Sequence, residues 1–376
     1  MKKGKENKRE NRDEYEMKKI MFYINTINTG GAERVIVNLS KYFSEHGWNV
    51  VLVTSFKGDN EYETAPNVKR LFLEEKESQQ NRLAKNISRV RMLRKHCRQE
   101  KPDVLISFMA EANFRSVIAT LGLKTKCIIS VRNDPNKEYA GKIGRIVGKY
   151  LLPLADGCVF QTEQAKSWFA ARLQKKSAII MNAVKEDFFS TEWDGGNEAV
   201  VTCGRLTEQK NHLMLIDAFS KVQQKHPNAT LRIYGEGQLK KKIQQRIDEL
   251  NLSESAFMMG RTEHVELALR DASVFVLSSD YEGMPNCLLE AMAVGLPCVS
   301  TACPCGGPEM IIENEKNGLL TPVGDAEKMA EAISKLLDNT DMSKNIGAEA
   351  KRMAEGFRPE TIFSQWERYV NYILSH

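Results

Sequence analysis

The chain has 376 residues, enough for two domains of ordinary size, and its 42% hydrophobic and 27% charged residues are typical of a soluble globular protein. No uncharged apolar run approaches the ~18 residues that a membrane-spanning helix requires. The net charge of +5 is unevenly divided: residues 1–190 hold 35 Lys and Arg against 22 Asp and Glu, and residues 191–376 hold 19 against 27. The first half is therefore expected to meet an anionic partner.

Residues 1–18 are polar throughout and lack the apolar stretch of a signal peptide. They are therefore expected to form a disordered basic tail. Most of the eight cysteines lie in strand-like apolar segments, and without a secretion signal they are expected to be reduced thiols. The segment Cys303-Pro-Cys305 has neither the spacing nor the partner pair of a zinc site.

Strand-like and helical patterns alternate through the first half of the chain. The first apolar run, Ile20–Ile24, is followed by Gly30-Gly31, which would let a backbone approach a phosphate at a helix start, although an ordinary tight turn fits equally well. Further strand-like runs lie at Val50–Thr54, Val68–Leu73, Val104–Ser107, Cys127–Val131, Cys158–Gln161 and Ala178–Met181. This alternation predicts a parallel sheet covered by helices in a first domain, residues 19–182.

Two stretches of this half are rich in basic residues. One predicted helix carries seven cations: Lys85, Arg89, Arg91, Arg94, Lys95, Arg98 and Lys101. A second, Gly141–Leu152, alternates Lys142, Arg145 and Lys149 with apolar residues. Most basic helices are only solvated, but the excess charge of this half favours contact with an anionic membrane surface. Nucleic acid is not expected as a partner, because aromatic residues are not interleaved with the cations.

A polar stretch at residues 183–198 is expected to link the first domain to a second. Strand-like runs resume at Ala199–Cys203, Leu231–Tyr234, Phe257–Met259, Val274–Leu277 and Pro297–Thr301. They indicate a second doubly wound domain over residues 199–356, followed by a helix within residues 357–376. The carboxyl ends of the strands of two such domains would face a cleft, where ligands bind in such sheets.

The first loop of the second domain, Gly204 to Asn211, follows a strand and precedes a helix. Arg205 and Lys210 in this loop are expected where the strand opens onto the cleft. Two fixed cations there are able to neutralise a diphosphate without a metal ion, each charged hydrogen bond contributing roughly 1.5–3 kcal/mol. Taken alone, the loop is as readily interpreted as a solvated surface.

Two carboxylates, Glu282 and Glu290, lie on either side of the start of a predicted helix, Asn286–Val294, that follows a buried strand. Glu282 falls in the loop just outside the helix and Glu290 about one turn inside it. A ligand whose phosphates rest on the N–H groups of the helix start would have one acid near its ribose and one near its sugar. The pattern therefore predicts a site for a sugar nucleotide.

Several other kinds of site find no support in the sequence. The metal-binding motif Asp-x-Asp, which marks the other large architecture that uses sugar nucleotides, does not occur. The six histidines form no i,i+4 pair, and Ser278-Ser279 lacks the glycines of a nucleophile elbow. Neither a divalent metal nor another cofactor is expected.

In combination, these motifs resemble those of the retaining glycosyltransferases of family 4, which have the α/β fold called GT-B: two doubly wound domains facing each other across a cleft. The resemblance covers residues 19–376. It rests on Asn28-Thr-Gly-Gly-Ala-Glu33, Gly204-Arg-Leu206, Gln209-Lys-Asn211, Tyr234-Gly-Glu-Gly237, Glu282-Gly-Met-Pro-Asn286 and Glu290-Ala-Met-Ala293. It implies that the last helix packs back on the N-terminal domain.

The resemblance also implies roles for individual residues. Glu282 would act on the donor sugar, and Glu290 would hold the ribose. Arg205 and Lys210 would hold the diphosphate. The other donor-binding positions would be Gly30, Gly31, Arg132, Gly204, Met284, Pro285, Asn286 and Cys287. Arg132 stands where many members of the family carry a histidine, and it is expected to contact the donor sugar or an acceptor phosphate.

The pattern is similar to that of bacterial transferases that build surface glycans on polyprenyl diphosphate carriers. It implies metal-independent transfer of a hexose or N-acetylhexosamine, with a UDP-sugar as the expected donor, to a lipid-linked saccharide. The enzyme would be cytoplasmic and peripherally bound to the inner face of the cytoplasmic membrane. A transferase with a soluble acceptor and a protein that binds sugar nucleotides without catalysis are the alternatives.

Overall fold

The computed structural model describes residues 17–376 except for positions 29, 78 and 80. Most of the expected tail, residues 1–18, lies outside the described residues. The strands of the described part form two parallel sheets, one in each half of the chain. None of its helices is long and apolar enough to cross a membrane.

The first sheet lies in the N-terminal half. Its strands are β1 (Lys19–Ile24), β2 (Asn49–Thr54), β3 (Lys69–Phe72), β4 (Val104–Phe108), β5 (Lys126–Ser130), β6 (Gly157–Phe160) and β7 (Ser177–Ile179). They run in the order β3-β2-β1-β4-β5-β6-β7. In the middle, Ile20 of β1 lies between Val50 of β2 and Val104 of β4, and all three are almost fully buried. Continuous apolar strands of this kind are typical of a sheet covered on both faces.

The second sheet lies in the C-terminal half. Its strands are β8 (Ala199–Cys203), β9 (Thr230–Tyr234), β10 (Ala256–Gly260), β11 (Val274–Leu277), β12 (Cys298–Thr301) and β13 (Leu319–Thr321). They run in the order β10-β9-β8-β11-β12-β13. The strand order therefore reverses between β1 and β4 in the first sheet and between β8 and β11 in the second. Ligands of open parallel sheets bind beyond the carboxyl ends of strands at such reversals.

Helices cover both faces of each sheet. Those of the first half and the connection are α1 (Gly31–Glu45), α2 (Arg82–Glu100), α3 (Ala110–Thr120), α4 (Pro135–Glu138), α5 (Gly141–Ile146), α6 (Glu163–Ser167), α7 (Ala171–Gln174) and α8 (Glu186–Ser190). Those of the second half are α9 (His212–Lys225), α10 (Lys240–Glu249), α11 (Val265–Arg270), α12 (Asn286–Val294), α13 (Gly307–Ile311), α14 (Ala326–Asp338), α15 (Thr340–Ala354) and α16 (Pro359–Ser375).

The last helix, α16, packs against the N-terminal domain, as the resemblance implied. The ring of Trp366 stacks on that of Phe108 at 5.6 Å. The Tyr369 hydroxyl donates to the Lys176 carbonyl oxygen at 2.6 Å and accepts the Cys158 N–H at 2.8 Å. The helix thus ties the end of the chain to β6 and to the residue just before β7.

The predicted strands are all present, and the structure differs from the sequence-based expectations at three places. The short strand β13 was not predicted. The predicted helix Gly141–Leu152 is an α-helix only to Ile146; it continues as a π-helical turn, Val147–Leu151, and then a 3₁₀ turn, Leu152–Leu154. Residues 183–198, predicted to be a polar linker, include α8, which buries Phe188 and Phe189.

Candidate active site

A cavity of about 320 Å³ lies between the two sheets, beyond the carboxyl ends of β1, β5, β8 and β11. All twelve residues that the sequence singled out as catalytic or donor-binding line it. They come from both domains and from loops far apart in the sequence. The structure thus brings the predicted residues together at the points where the strand order reverses.

Glu282 lies in the loop after β11 and is held by two hydrogen-bond donors. Its Oε1 accepts Lys210 Nζ at 2.6 Å and Ser279 Oγ at 2.7 Å, and the residue is only 7% exposed. Burial acts to lower the pKa of Lys210, but the Glu282 carboxylate raises it overall. Lys210 is therefore a permanent cation beside Glu282. Ser279, which donates to the same carboxylate oxygen, was not among the predicted residues.

The backbone around Glu282 is anchored to a neighbouring loop and to the opposite domain. Glu282 N–H donates to Pro304 O at 2.6 Å, and Cys305 N–H donates to Glu282 O at 2.8 Å. A side chain at Gly283 would place its Cβ 2.3 Å from the carbonyl oxygen of Arg132, so this approach of the two domains requires glycine. The position of Glu282 is therefore fixed by both domains.

Helix α12 opens onto the cavity at its N-terminus. Asn286 and Cys287 are its first residues, and Pro285 precedes them. Within the described part of the chain, the backbone N–H groups of Asn286 and Cys287 have no protein acceptor, whereas Leu288 N–H bonds to Pro285 O at 3.2 Å. Free N–H groups at the positive end of a helix are suited to bind an anion such as a phosphate.

Glu290 lies in the second turn of α12, inside the same cavity. It is 5% exposed, and its Oε1 accepts a short hydrogen bond from Arg34 Nη2 across the cleft. Arg34 belongs to the first turns of α1, in the N-terminal domain. The sequence analysis missed Arg34, although its position just after the Gly30-Gly31 loop was a usable signal.

Arg205 and the glycine loop line the cavity from different domains. Arg205 is exposed, and among the described residues it makes no ion pair, so its charge is available to a ligand. A Cβ at Gly31 would lie 3.1 Å from Asn286 Nδ2, which shows how closely the glycine loop approaches α12. Glu33, in the first turn of α1, also lines the cavity; burial raises its pKa, while its own backbone N–H and Arg205 act to lower it.

Arg132 is a buried cation at the cavity wall. It is 7% exposed, its guanidinium lies over the Phe108 ring at 4.7 Å, and its Nη2 donates a short hydrogen bond to Asn182 Oδ1. Asn182 in turn donates to Met284 O at 3.1 Å and to Asn286 Oδ1 at 2.6 Å. Arg132 is thereby connected to the start of α12, and Asn182 is a second residue that the sequence analysis missed.

The charge of Arg132 is not balanced by an ion pair in the described part of the chain. Burial lowers the pKa of Arg132 to about 9, although the Glu138 carboxylate acts to raise it. Burial also raises the pKa of Glu138 to about 8. The charge of Arg132 acts to lower this pKa, and the charge of Asp134 acts to raise it further. Both carboxylate oxygens of Glu138 are buried without a hydrogen-bond partner. A buried, unpaired cation destabilises the fold and is typical of a functional site.

We therefore expect Arg132→Gln to stabilise the protein and to impair its activity. The lowered pKa means that the unfolded chain binds the Arg132 proton more tightly than the folded protein does. The buried charge therefore destabilises the fold fully below pH 9, and this destabilisation fades only as pH rises from 9 towards 12.5. At pH 7 the substitution should raise the free energy of unfolding by roughly 1–4 kcal/mol. Turnover should fall about ten- to a hundredfold, the effect of one charged hydrogen bond.

Thermal or urea unfolding at pH 7 and steady-state kinetics measure the two effects. Exposed Arg368 provides the matched control, and Arg368→Gln should change neither quantity. A destabilised Arg132→Gln variant would show that the guanidinium is a structural group rather than one held ready for a ligand.

A metal ion has no evident ligand set here: among residues 17–376, positions 29, 78 and 80 aside, no three His, Cys, Asp or Glu side chains are grouped to hold one. Arg205, Lys210 and the start of α12 are the groups suited to bind an anionic ligand in the cavity. The carboxylates of Glu282 and Glu290 are suited to accept hydrogen bonds from hydroxyls. The cavity thus combines cations, a helix N-terminus and two acids.

Comparison with known proteins points to one family. Residues 29–188 match the family model Glycosyltransferase Family 4, and residues 183–353 match Glycosyl transferases group 1. An uncharacterized glycosyltransferase of Methanocaldococcus jannaschii is 30% identical over 76% of this chain and 83% of its own length. An undecaprenol-diphosphate-linked glycan α-1,4-N-acetyl-D-galactosaminyltransferase of Campylobacter jejuni is 28% identical over 94% of this chain and 98% of its own.

Solved structures share the fold at low sequence identity. Sucrose-phosphate synthase from Thermosynechococcus elongatus superposes with a TM-score of 0.82 at 17% identity, covering 95% of this chain and 99% of that one. The TarM protein of S. aureus, in a complex that contains UDP, superposes with a TM-score of 0.76 at 18% identity, covering 94% of this chain and 100% of that one. These likenesses establish the two-domain fold.

Proposed function

The chain belongs to the family 4 glycosyltransferases of the GT-B fold, and from that premise we propose a specific reaction. The enzyme transfers a hexose or N-acetylhexosamine from a nucleotide sugar, with a UDP-sugar as the expected donor, to a saccharide carried on polyprenyl diphosphate. The transfer retains the anomeric configuration and needs no divalent metal. The observation that carries this proposal is the single cavity that joins Glu282 and Glu290 to Arg205, Lys210 and the start of α12.

The donor would lie along this cavity with its ribose towards Glu290 and its sugar towards Glu282. Its diphosphate would then meet the free N–H groups of α12 and the two cations. As the bond between the sugar C1 and the phosphate oxygen breaks, negative charge develops on the departing diphosphate. Arg205 and Lys210 would stabilise that charge, which is the task a metal ion performs in other sites.

Retention follows if the acceptor hydroxyl attacks C1 on the face that the phosphate leaves. A bond forms between the acceptor oxygen and C1, the C1–phosphate bond breaks, and the acceptor proton passes to the departing phosphate oxygen. The protein then has to hold charges and exclude water rather than supply a base. Glu282, fixed by Lys210 and Ser279, would orient the sugar for this step.

The names of two relatives support a lipid-linked acceptor. Both are Campylobacter jejuni N-acetylgalactosaminyltransferases whose names specify saccharides on undecaprenyl diphosphate as substrates, and this chain covers 98% and 96% of their lengths. The basic N-terminal half of this chain fits such an acceptor, because a diphosphate carrier lies in an anionic membrane surface.

One surface of the N-terminal domain is suited to contact that membrane. Helix α2 packs against α3, and α3 packs against the π and 3₁₀ turns after α5, so these elements cover one face of the first sheet. On it, Ile143 is 79% exposed, Tyr150 63% and Ile87 of α2 44%. The exposed cations Lys142, Arg145 and Lys149 surround the first two. Exposed apolar side chains among cations are typical of an interfacial segment.

We expect the protein to bind anionic liposomes, with an affinity that falls steeply as salt rises. Each cation near an anionic leaflet contributes about 1 kcal/mol, and this attraction is screened beyond ~8 Å at physiological ionic strength. Replacing Lys142, Arg145 and Lys149 together by alanine should release the protein from liposomes in a flotation assay. Transfer to a lipid-linked acceptor should slow, and donor hydrolysis should be unchanged.

The matched control replaces three exposed lysines of the C-terminal domain, Lys225, Lys328 and Lys344, and should leave liposome binding intact. Equal binding to neutral and anionic liposomes, or to neither, would contradict membrane attachment and favour a soluble acceptor.

The proposed reaction is tested first on the donor alone. Purified protein is incubated with a panel of UDP- and GDP-sugars, and the slow release of the free sugar is followed. Hydrolysis of one donor, lost in Glu282→Gln, is the expected result. Binding of a sugar nucleotide without hydrolysis or transfer would indicate the non-catalytic alternative.

A further inference from the structure

The ion pair between Arg34 and Glu290 is the one ion pair that crosses the cleft between the two sheets in the described part of the chain. Arg34 comes from α1 of the N-terminal domain and Glu290 from α12 of the C-terminal domain. Their side chains are 23% and 6% exposed, so the pair is shielded from water. A shielded pair is much stronger than an ordinary surface ion pair.

Arg34 is the cation that balances the charge of the buried Glu290 carboxylate. Among the described residues, the carboxylate makes no other hydrogen bond or ion pair. A nearly buried carboxylate that loses its cation is left uncompensated, and its side chain then turns towards water. Arg34 therefore determines the direction in which the Glu290 carboxylate points.

Arg34 also has hydrogen-bond donors that no described protein group uses. A guanidinium carries five N–H donors in a planar fork, and only Nη2 is engaged by a hydrogen bond to protein in the described structure. The Glu290 carboxylate raises the pKa of Arg34, against the effect of burial. The carboxylate likewise keeps Oε2, which is free to accept the hydroxyls of a ligand while Oε1 stays bound to Arg34.

We propose that Arg34 is a positioning residue of the donor site: by holding Oε1 of Glu290, it presents Oε2 to the ribose hydroxyls of the nucleotide. The N-terminal domain, whose cleft side is expected to receive the acceptor, thereby takes part in recognition of the donor nucleotide. This inference rests on the proposed function, because it takes Glu290 as the ribose-binding residue.

The test is the dissociation constant of the nucleoside diphosphate that the wild type binds, UDP or GDP, and of the corresponding nucleoside. Arg34→Ala should raise the dissociation constants of both ligands by about tenfold or more, because both ligands present the same ribose. Glu290→Gln should have a similar effect. In the Glu290→Gln background, Arg34→Ala should cause no more than about a twofold further loss, since its role is exerted through that carboxylate.

Each alternative predicts a different result. Tighter binding by Arg34→Ala would mean that Arg34 competes with ribose for Glu290, and weaker binding of the diphosphate alone would mean that Arg34 contacts phosphate; either overturns the proposal. Equal losses in the wild-type and Glu290→Gln backgrounds would overturn it too. A wild type that binds neither UDP nor GDP would contradict the proposed function itself.

Two further variants separate positioning from folding. Arg82→Ala removes an exposed arginine from the start of α2 in the same domain and should bind nucleotide as the wild type does. Arg34→Lys keeps the charge but loses the planar fork, and it serves if the alanine variant does not fold. Arg34→Lys should lower the affinity for nucleotide and for nucleoside several-fold and to the same extent. Wild-type affinity for both would contradict the proposal.

Discussion

Glu282→Gln is expected to lower turnover by about 10²–10³ while leaving the affinity for the free nucleoside diphosphate within a few-fold of wild type. The expectation follows from position: Glu282 lies in the loop before α12, beside Lys210, whereas the nucleotide is expected along α12 and Glu290. Removing one fixed charge-stabilising group from an enclosed active site typically has an effect of this size. Single-turnover kinetics and calorimetry measure the two quantities.

The glutamine keeps the size of the side chain and can still accept from Ser279, so it isolates the charge. Glu309, an exposed acid in the first turn of α13, provides a matched control: Glu309→Gln should turn over at the wild-type rate. Near-wild-type turnover by Glu282→Gln would remove Glu282 from the sugar site.

Lys210→Ala is expected to abolish most activity and to destabilise the fold. The Glu282 carboxylate, whose side chain is only 9% exposed, would lose the cation at 2.6 Å, and breaking a buried pair by removing one partner costs roughly 3–5 kcal/mol. The departing diphosphate would lose one of its two cations, which should reduce turnover by about 10²-fold or more. Urea unfolding and steady-state kinetics report these effects separately.

Arg205→Ala separates catalysis from stability. Because Arg205 is exposed, the substitution should impair transfer with little effect on the free energy of unfolding. Wild-type enzyme should remain fully active in EDTA, because in the proposed mechanism the two cations would perform the role of a metal. Activity that disappears in EDTA and returns with Mg²⁺ or Mn²⁺ would show that the metal-independent mechanism is wrong.

The sequence was sufficient to predict the architecture because its signals are local. Apolar runs such as Ala199–Cys203 and Val274–Leu277 mark buried strands wherever they occur, and glycine-containing loops mark their carboxyl ends. In a parallel sheet those ends share one edge, so residues such as Arg205 and Glu282, which follow different strands, were predictably close together. The motif from Glu282 to Glu290 also fixed the start of α12 correctly.

Two of the missed site residues, Arg34 and Asn182, depend on pairings across long distances in the chain, whereas Ser279 lies only three residues before Glu282. Arg34 meets Glu290, and Asn182 meets Asn286, only because the two domains close on each other. No periodicity or spacing encodes such a contact. The short strand β13 was also missed; its place in the sheet is decided by pairing with β12.

Lipid-linked transfer is measured most directly as the mass of a polyprenyl diphosphate-linked saccharide after incubation with the purified enzyme, the donor that it hydrolyses and EDTA. We expect the saccharide to gain a single sugar residue and the nucleoside diphosphate to be released in equal amount, whereas Glu282→Gln should produce neither. An unchanged lipid-linked saccharide alongside sugar transfer to a soluble acceptor would contradict the proposed acceptor, and transfer by Glu282→Gln at the wild-type rate would contradict the proposed site.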